Sequence, residues 1–411
     1  SQIAVSKPAQ RPTRFLGRQP ILDRDEKLFG YELLFRDGMA NYFAATDVEN
    51  ACLSTLDSSL LMGLDLLCGG AYASVNCTRD VLLSDYVTLL PPQGTIVEVL
   101  ETVTPDDPVV AACRRLKQAG YLLALDDFTP ADVREPLTPL ADIIKVDVLA
   151  TPRHQWRSMV DRYAAGNIRM LAEKVETRPD FDLARDLGFS YFQGYFFQKP
   201  VVLATTEVPS LHANYIRMLR LVHATEIDWR ELEGLIKREA SVCYRLLRYL
   251  NSPVFGFVRE IRSVRHALSM LGEREIRKWI SLVAVLAIGK SSPSELVHSA
   301  LTRAHFCELL SDLLYRGAHD CFLLGLFSLM DAILGMPMPQ VLERVPVEGE
   351  IKAALLGRPS RLQALYGLVL AQESGDWERC SGLAAKLQVH ESKVARAYLE
   401  SVRWARQVMA I

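Results

Sequence analysis

At 411 residues, 49% of them hydrophobic and 23% charged, the chain is too long for one ordinary domain and too apolar for a disordered or fibrous polymer, so two globular domains are expected. Its 47 basic and 49 acidic residues leave a net charge of −2, which argues against a surface built to coat nucleic acid while allowing a local basic pocket for a phosphate ligand. The eight cysteines carry no Cys-x-x-Cys pair and read as reduced thiols, Ser1 to Arg14 has no apolar signal core, and the longest apolar stretch, Trp279 to Ile288, is too short to span a bilayer; a cytoplasmic location without a membrane partner is expected.

In chain order, residues 1–13 read as a flexible N-terminus. From Arg14 to about Pro200, β-rich runs alternate with amphipathic helical stretches. The runs are Phe15–Leu22, Phe29–Phe35, Ala71–Cys77, Thr95–Leu100, Tyr121–Asp126, Asp142–Val146, Ile168–Glu173 and Ser190–Phe197; the helical stretches include Val48–Leu67, Pro108–Ala119 and Arg153–Ala165. Alternation of this kind implies a parallel sheet, and about eight strands imply a closed (β/α)8-type barrel over residues 14–202. After Lys199-Pro200 the β-branched runs vanish. Residues 203–411 read as all-α, with turn signals at Asn251–Pro253, Gly272, Ser291–Pro293, Gly335–Pro337 and Gly357–Pro359.

The last residues of the predicted strands are Glu32, Asn76, Glu98, the pair Asp126 and Asp127, Lys145, Glu173 and Gln193. In a barrel the carboxyl ends of the strands converge on one face, so these residues would form one ring. Several carboxylates and an amide oxygen, with no His or Cys among them, suit Mg²⁺ or Mn²⁺ and disfavour zinc. Adjacent aspartates suit two ions held a few ångströms apart for phosphoryl chemistry, with Lys145 orienting a water or neutralising developing charge. The plainer reading of any single strand-end carboxylate is a helix cap or a solvated loop.

In that order the residues resemble the EAL domain of bacterial cyclic di-GMP phosphodiesterases. Gln19-Pro20-Ile21 resembles the family's opening Gln-Pro-Ile, and Glu32-Leu33-Leu34-Phe35-Arg36 its Glu-Ala-Leu-x-Arg signature. Val75-Asn76, Glu98-Val99-Leu100-Glu101, Leu125-Asp126-Asp127-Phe128, Lys145-Val146-Asp147, Ala172-Glu173-Lys174-Val175-Glu176 and Gln193-Gly194-Tyr195 complete the series over about half the chain. The resemblance implies that Glu32, Asn76, Glu98 and Asp126 ligate metal, with Asp127 and Glu173 completing two sites. It implies Lys145 and Gln193 on the attacking water, Gln19 and Arg36 on the nucleotide, and Glu176 as a loop anchor. The sequence departs from the family where Thr129-Pro130-Ala131 replaces a Gly-Thr-Gly loop, where Lys174 replaces a glycine, and in a shortened segment between Glu32 and Asn76.

The second half resembles an HDOD domain, a relative of HD phosphohydrolases without their chemistry, through Leu246 to Phe255, Ile261 to Leu268 and Leu271-Gly272. In Gly325-Leu326-Phe327-Ser328-Leu329-Met330-Asp331, serine and leucine stand at the His-Asp ligand positions. His319-Asp320 reads as a helix start, His298 and His305 as structural residues on an amphipathic helix, and Trp279 to Ile288 as core. The expected function is metal-dependent hydrolysis of cyclic di-GMP to linear pGpG. The helical half is then a regulatory or interaction module for an unidentified protein partner, compatible with a homodimer. The alternatives are a silent cyclic di-GMP effector or scaffold and, less well matched by the motifs, a barrel acting on another phosphate ester.

Overall fold

The computed structural model describes residues 14–37, 64–198, 213–238, 264–315, 321–345 and 347–409. Most of the predicted helix Val48–Leu67, the HDOD-like run Leu246 to Phe255, the start of the run Ile261 to Leu268, and His319-Asp320 lie outside these residues, as does the side chain of Arg36.

The barrel is closed, in the order of the chain, by β1 (Arg14–Asp23), β2 (Leu28–Asp37), β3 (Tyr72–Cys77), β4 (Thr95–Val99), β5 (Leu122–Leu125), β6 (Ile143–Asp147), β7 (Arg169–Glu173) and β8 (Tyr191–Gln193). Strands β2 to β8 pair in parallel, as expected. β1 differs: it runs antiparallel to both β2 and β8. The connection from Asp23 to Leu28 is too short for a crossover, and a tight turn joins only antiparallel neighbours. The Asp23 carboxylate builds that turn by accepting hydrogen bonds from the backbone of Asp25 and Lys27.

Short helices cover the barrel, each positioned by local chemistry. α1 (Leu64–Cys68) and α2 (Arg79–Leu83) flank β3. α3 (Asp107–Gln118) starts where the Asp106 side chain accepts from the Val109 amide, with Pro108 in the first turn, and buries Val109, Ala112, Cys113 and Leu116 at helical spacing. α4 (Arg153–Tyr163) and α5 (Arg178–Leu187) follow β6 and β7; α5 is capped by Thr177 and ends at Gly188 in the left-handed region.

Inside the barrel, strand alternation builds two layers. Ile21, Ile96, Ala124, Ile143, Leu171 and Tyr191 form an apolar plug. Two residues further along β4, β6, β7 and β8, and just past β5, the same inward direction carries Glu98, Lys145, Glu173, Gln193 and Asp126. On β1, which runs the other way, Gln19 lies two residues before Ile21. The plug thus forms the floor on which the polar mouth rests.

The helical half comprises, among the described residues, α6 (Ala213–Val222), α7 (Trp229–Arg238), α8 (Val264–Ile288), α9 (Ser294–Tyr315), α10 (Cys321–Phe327), α11 (Met330–Leu334), α12 (Met338–Arg344), α13 (Gly349–Leu355), α14 (Gln363–Ser374), α15 (Trp377–Lys386) and α16 (Glu391–Met409). The span of α8 is broken at Gly272, whose backbone has φ 75° and ψ 164°. Beyond that break, Trp279, Ile280 and Val283 join one apolar cluster and Leu282, Val285 and Ile288 another, so the stripe is core. α9 differs from the expected amphipathic helix, because nearly every residue from Glu295 to Ser311 is buried between the barrel and the other helices. Gly325 lets α10 lie on it: a Cβ there would stand 2.2 Å from the Arg303 carbonyl oxygen. Among the described residues no helix is long and apolar enough to cross a membrane.

The two halves meet along a polar seam. Arg18 on β1, 5% exposed, donates to the Leu67 carbonyl at 2.9 Å and to His298 Nδ1 at 2.9 Å, and lies over the Tyr31 ring. The Tyr31 hydroxyl donates to Glu295 at 2.5 Å. Burial, reinforced by the Arg18 charge, holds the His298 imidazolium pKa well below its usual value, so the ring is a neutral acceptor. A second node joins Arg303 to Glu373 at 2.7 Å, to Gln198 at 2.8 Å and to Ser328 at 3.2 Å.

Candidate active site at the barrel mouth

Lys145 is 1% exposed and lies at the centre of the mouth. Its ammonium is 2.7 Å from Asp126, 2.9 Å from Glu98, 2.9 Å from Glu173 and 3.3 Å from Glu32. Asn76 Nδ2 donates to Glu32 Oε1 at 3.1 Å, and Gln193 Nε2 donates to Glu32 Oε2 and to Gln19 Oε1, both at 2.8 Å. Side chains from seven strands and the end of β5 therefore share one network. Asp127, with its backbone at φ 41°, and Glu176 line the cleft above it; Arg36 lies four residues beyond Glu32 on β2, paired with Phe15.

One ammonium among four carboxylates leaves the mouth with excess negative charge in a buried setting. Burial pushes the Glu173 carboxyl up to about 8, with Asp126 and Glu32 adding to the rise that Lys145 opposes. Glu98 is raised well above the usual range, first by burial and next by Glu32. Burial alone would lower Lys145, but the four carboxylates outweigh it and hold the ammonium charged. Such an excess is relieved by protons or by added cations.

The oxygen atoms point the same way. Asn76 Oδ1, Asp127 Oδ1 and Gln193 Oε1 are buried yet accept no hydrogen bond, an expensive condition in a protein interior. An all-oxygen donor set with three unsatisfied acceptors fits a hard divalent cation. Among the described residues, no group of three or more His, Cys, Asp or Glu side chains is disposed to hold a metal ion as it stands. The carboxylates converge on Lys145, so metal entry requires the ammonium to give way. The mouth opens into a cavity of about 330 Å³, bordered by Gln19, Glu32, Asp126, Asp127, Glu173 and Gln193, with Tyr195 and Lys174 on its walls.

Several contributors escaped sequence reasoning. Ser74 donates a short hydrogen bond to Glu98; its signal was the two-residue spacing from Asn76. Arg134 is fully buried and donates to the carbonyls of Val99 and Asp126 at 2.7 and 2.6 Å, fixing the ends of β4 and β5. It is held by Asp132, so the Thr129-Pro130-Ala131 segment leads into a rigid anchor. Lys174 pairs with Asp147 at 2.5 Å. Gln19 Nε2 donates to the Ser374 carbonyl at 3.3 Å, which ties the mouth to the end of α14. At the position expected for an HD-type ligand pair, Ser328 is buried and bonded to Gly325 and Arg303.

Comparison with known proteins places these two halves in families. The EAL domain family matches residues 82–200 and the HDOD domain family residues 208–345. An uncharacterized Bacillus subtilis protein, YuxH, is 32% identical over 405 residues, covering 96% of this chain and 98% of that one. The Vibrio cholerae cyclic di-GMP phosphodiesterase CdgJ is 34% identical over 402 residues, covering 96% and 93%. The chain is an EAL–HDOD protein. Its EAL half is also similar to Klebsiella pneumoniae BlrP1, solved as a calcium and cyclic di-GMP complex, at 25% identity over 46% of this chain and 56% of that chain, with a TM-score of 0.39. The EAL family match begins only at residue 82, whereas the barrel is closed from Arg14, so three strands of the EAL–HDOD barrel precede the matched segment.

Proposed function

We propose that the EAL barrel hydrolyses cyclic di-GMP to linear pGpG with a divalent cation, Mg²⁺ or Mn²⁺. The observation that carries this reading is the set of four carboxylates and unsatisfied amide oxygens gathered at one cleft from motif residues in EAL order. CdgJ, which matches over nearly its whole length, is named a cyclic di-GMP phosphodiesterase. In this reading Glu32, Asn76, Glu98, Asp126, Asp127 and Glu173 hold metal. A divalent cation bound there supplies Lewis-acid polarisation of the phosphodiester and a more acidic water. Gln193 and Lys145 orient the attacking water, and the Lys145 ammonium offsets charge that develops as a P–O bond to one ribose breaks. Gln19 and Arg36 hold the nucleotide, a guanidinium being suited to a phosphate, and Glu176 anchors the loop after β7.

We divide the protein at residues 202/203, within a segment outside the described residues, and read the HDOD half as a regulatory module that meets a protein partner; a cytoplasmic homodimer is compatible with this. A second reading, a binding effector without turnover, rests on Thr129-Pro130-Ala131 in place of the family's Gly-Thr-Gly loop, together with the shortened segment between Glu32 and Asn76. The test is incubation of the purified full chain with cyclic di-GMP and Mn²⁺ or Mg²⁺, followed by chromatographic separation of products. Linear pGpG is expected. Binding without product across metals would establish the effector reading instead.

A further inference from the structure

Lys174 follows the last residue of β7 with φ 55°, in the left-handed region that disfavours a side chain. The segment around it is firmly held: the Val175 amide donates to the Gln193 carbonyl at 2.9 Å, and the Phe196 amide donates to the Val175 carbonyl at 3.1 Å. A Cβ at Gly194 would stand 2.2 Å from the Val175 carbonyl oxygen, so β8 closes directly on this loop. A lysine kept at such a position calls for a reason beyond the backbone.

Its ammonium lies on the wall of the cleft, 2.5 Å from Asp147 Oδ2 and 3.9 Å from Asp127 Oδ1. Asp127 Oδ1 is one of the three buried oxygens that accept no hydrogen bond. Among the described side chains, two cations of the mouth thus have separate clients. Lys145 gathers Glu32, Glu98, Asp126 and Glu173, while Lys174 faces Asp127 and Asp147. A positive charge this close to a carboxylate repels a second cation approaching the same oxygen, an effect that solvent moderates here because both side chains are about half exposed.

We propose that Lys174 is a built-in counter-cation for Asp127, so that this chain binds one divalent cation firmly among the inner carboxylates and a second only weakly. The proposal deepens the metal-dependent reading above and rests on it. Replacing the lysine releases Asp127 to the second ion, with a tightening of about 10–100-fold, the scale on which neighbouring groups tune metal affinity.

The test is calorimetric titration of Mn²⁺ into the metal-free full chain, with free Mn²⁺ followed by electron paramagnetic resonance. The unsubstituted chain should show one firm site and one weak site. Both Lys174→Gly, which relieves the backbone, and Lys174→Met, which does not, should tighten the weak site about 10–100-fold. Adding Asp127→Asn to Lys174→Gly should abolish that gain. Unchanged weak-site affinity in both variants, tightening in the glycine variant alone, or a gain that survives Asp127→Asn would each overturn the proposal. Glu32→Ala separates this from the parent reading, since it should lose the firm ion. Absence of Mn²⁺ binding in the unsubstituted chain would overturn both.

Discussion

The barrel mouth and the seam between the halves are both buried and both built on charge, yet they are balanced differently. At the seam, Arg303 faces Glu373, and Arg18 lies near Glu295 through Tyr31 and a neutral His298. At the mouth the Lys145 ammonium alone faces four carboxylates, and among the described residues three buried acceptor oxygens lack donors. Among the described residues the seam sets three arginines, Arg406 beside Arg18 included, against two glutamates, but each has hydrogen-bonded partners, and such satisfied charges hold two surfaces together. A surplus of one sign, with oxygens left bare, is a folded structure prepared for something it does not itself contain.

The largest effect that would sharpen this contrast is on turnover. Glu32→Ala should lower cyclic di-GMP hydrolysis by at least about 10²-fold, the scale for losing one transition-state contact, whereas Glu295→Gln at the seam should leave the rate near that of the unsubstituted chain. Steady-state kinetics on both variants checks it. Stability should distinguish the regions next. Removing one partner of a buried ion pair costs about 3–5 kcal/mol, so Lys145→Met and Arg303→Met should both lower the melting temperature in chelator. Mn²⁺ should raise the melting temperature of Lys145→Met by more than it raises that of the unsubstituted chain, and should give Arg303→Met no such extra gain. Equal metal responses in both variants would erase the distinction.

The pH responses should have opposite signs. Burial, followed by nearby Arg277 and Lys278 respectively, lowers His223 and His305 from 6.5 to about 4. The unfolded chain therefore binds more protons between these values, and the stability these rings contribute is present above about 6.5 and lost as pH falls toward 4. In metal-free protein the Glu173 carboxyl, raised from 4.5 to about 8, contributes stability present below 4.5 and lost as pH rises through 8. Hydrogen exchange, corrected for intrinsic rates, should show the helices around His223 and His305 loosening at pH 5 and the ends of β6 to β8 loosening at pH 8. Loosening of both at the same end of the scale would break the comparison. The smallest effect belongs to the link between the regions. Gln19→Ala removes hydrogen bonds to Gln193 and Ser374, and should weaken nucleotide binding by roughly 1 kcal/mol, or about fivefold, by calorimetry.

From β3 to β8 the ring was legible because each strand is short and its last inward-facing residue is polar, as in Ile96 then Glu98 or Ile143 then Lys145. Glu32, expected at a strand end, instead lies with Gln19 in the middle of the ten-residue strands β2 and β1. The same alternation carries a signal for Ser74 through Asn76, which went unread. The closed barrel followed from strand count, but the reversed β1 depended on the short turn after Asp23 rather than on the strand's own pattern. The seam was not legible, since Arg18 and His298 are 280 residues apart and nothing local in either marks the other. For the same reason α9 read as amphipathic: Glu295, His298 and Arg303 look like a solvated face until the barrel and α14 supply their partners. Arg134 was hidden differently, because a fully buried arginine serving two backbone carbonyls has no sequence signature beyond the nearby Asp132.

The most direct test of the central claim, that the surplus negative charge at the mouth serves metal-dependent hydrolysis, is a chelation and re-addition experiment on the full chain. Cyclic di-GMP turnover should vanish in EDTA, return in proportion to added Mn²⁺, and fail to return in Glu32→Ala. Turnover indifferent to EDTA, or absent at every Mn²⁺ concentration, would contradict the account.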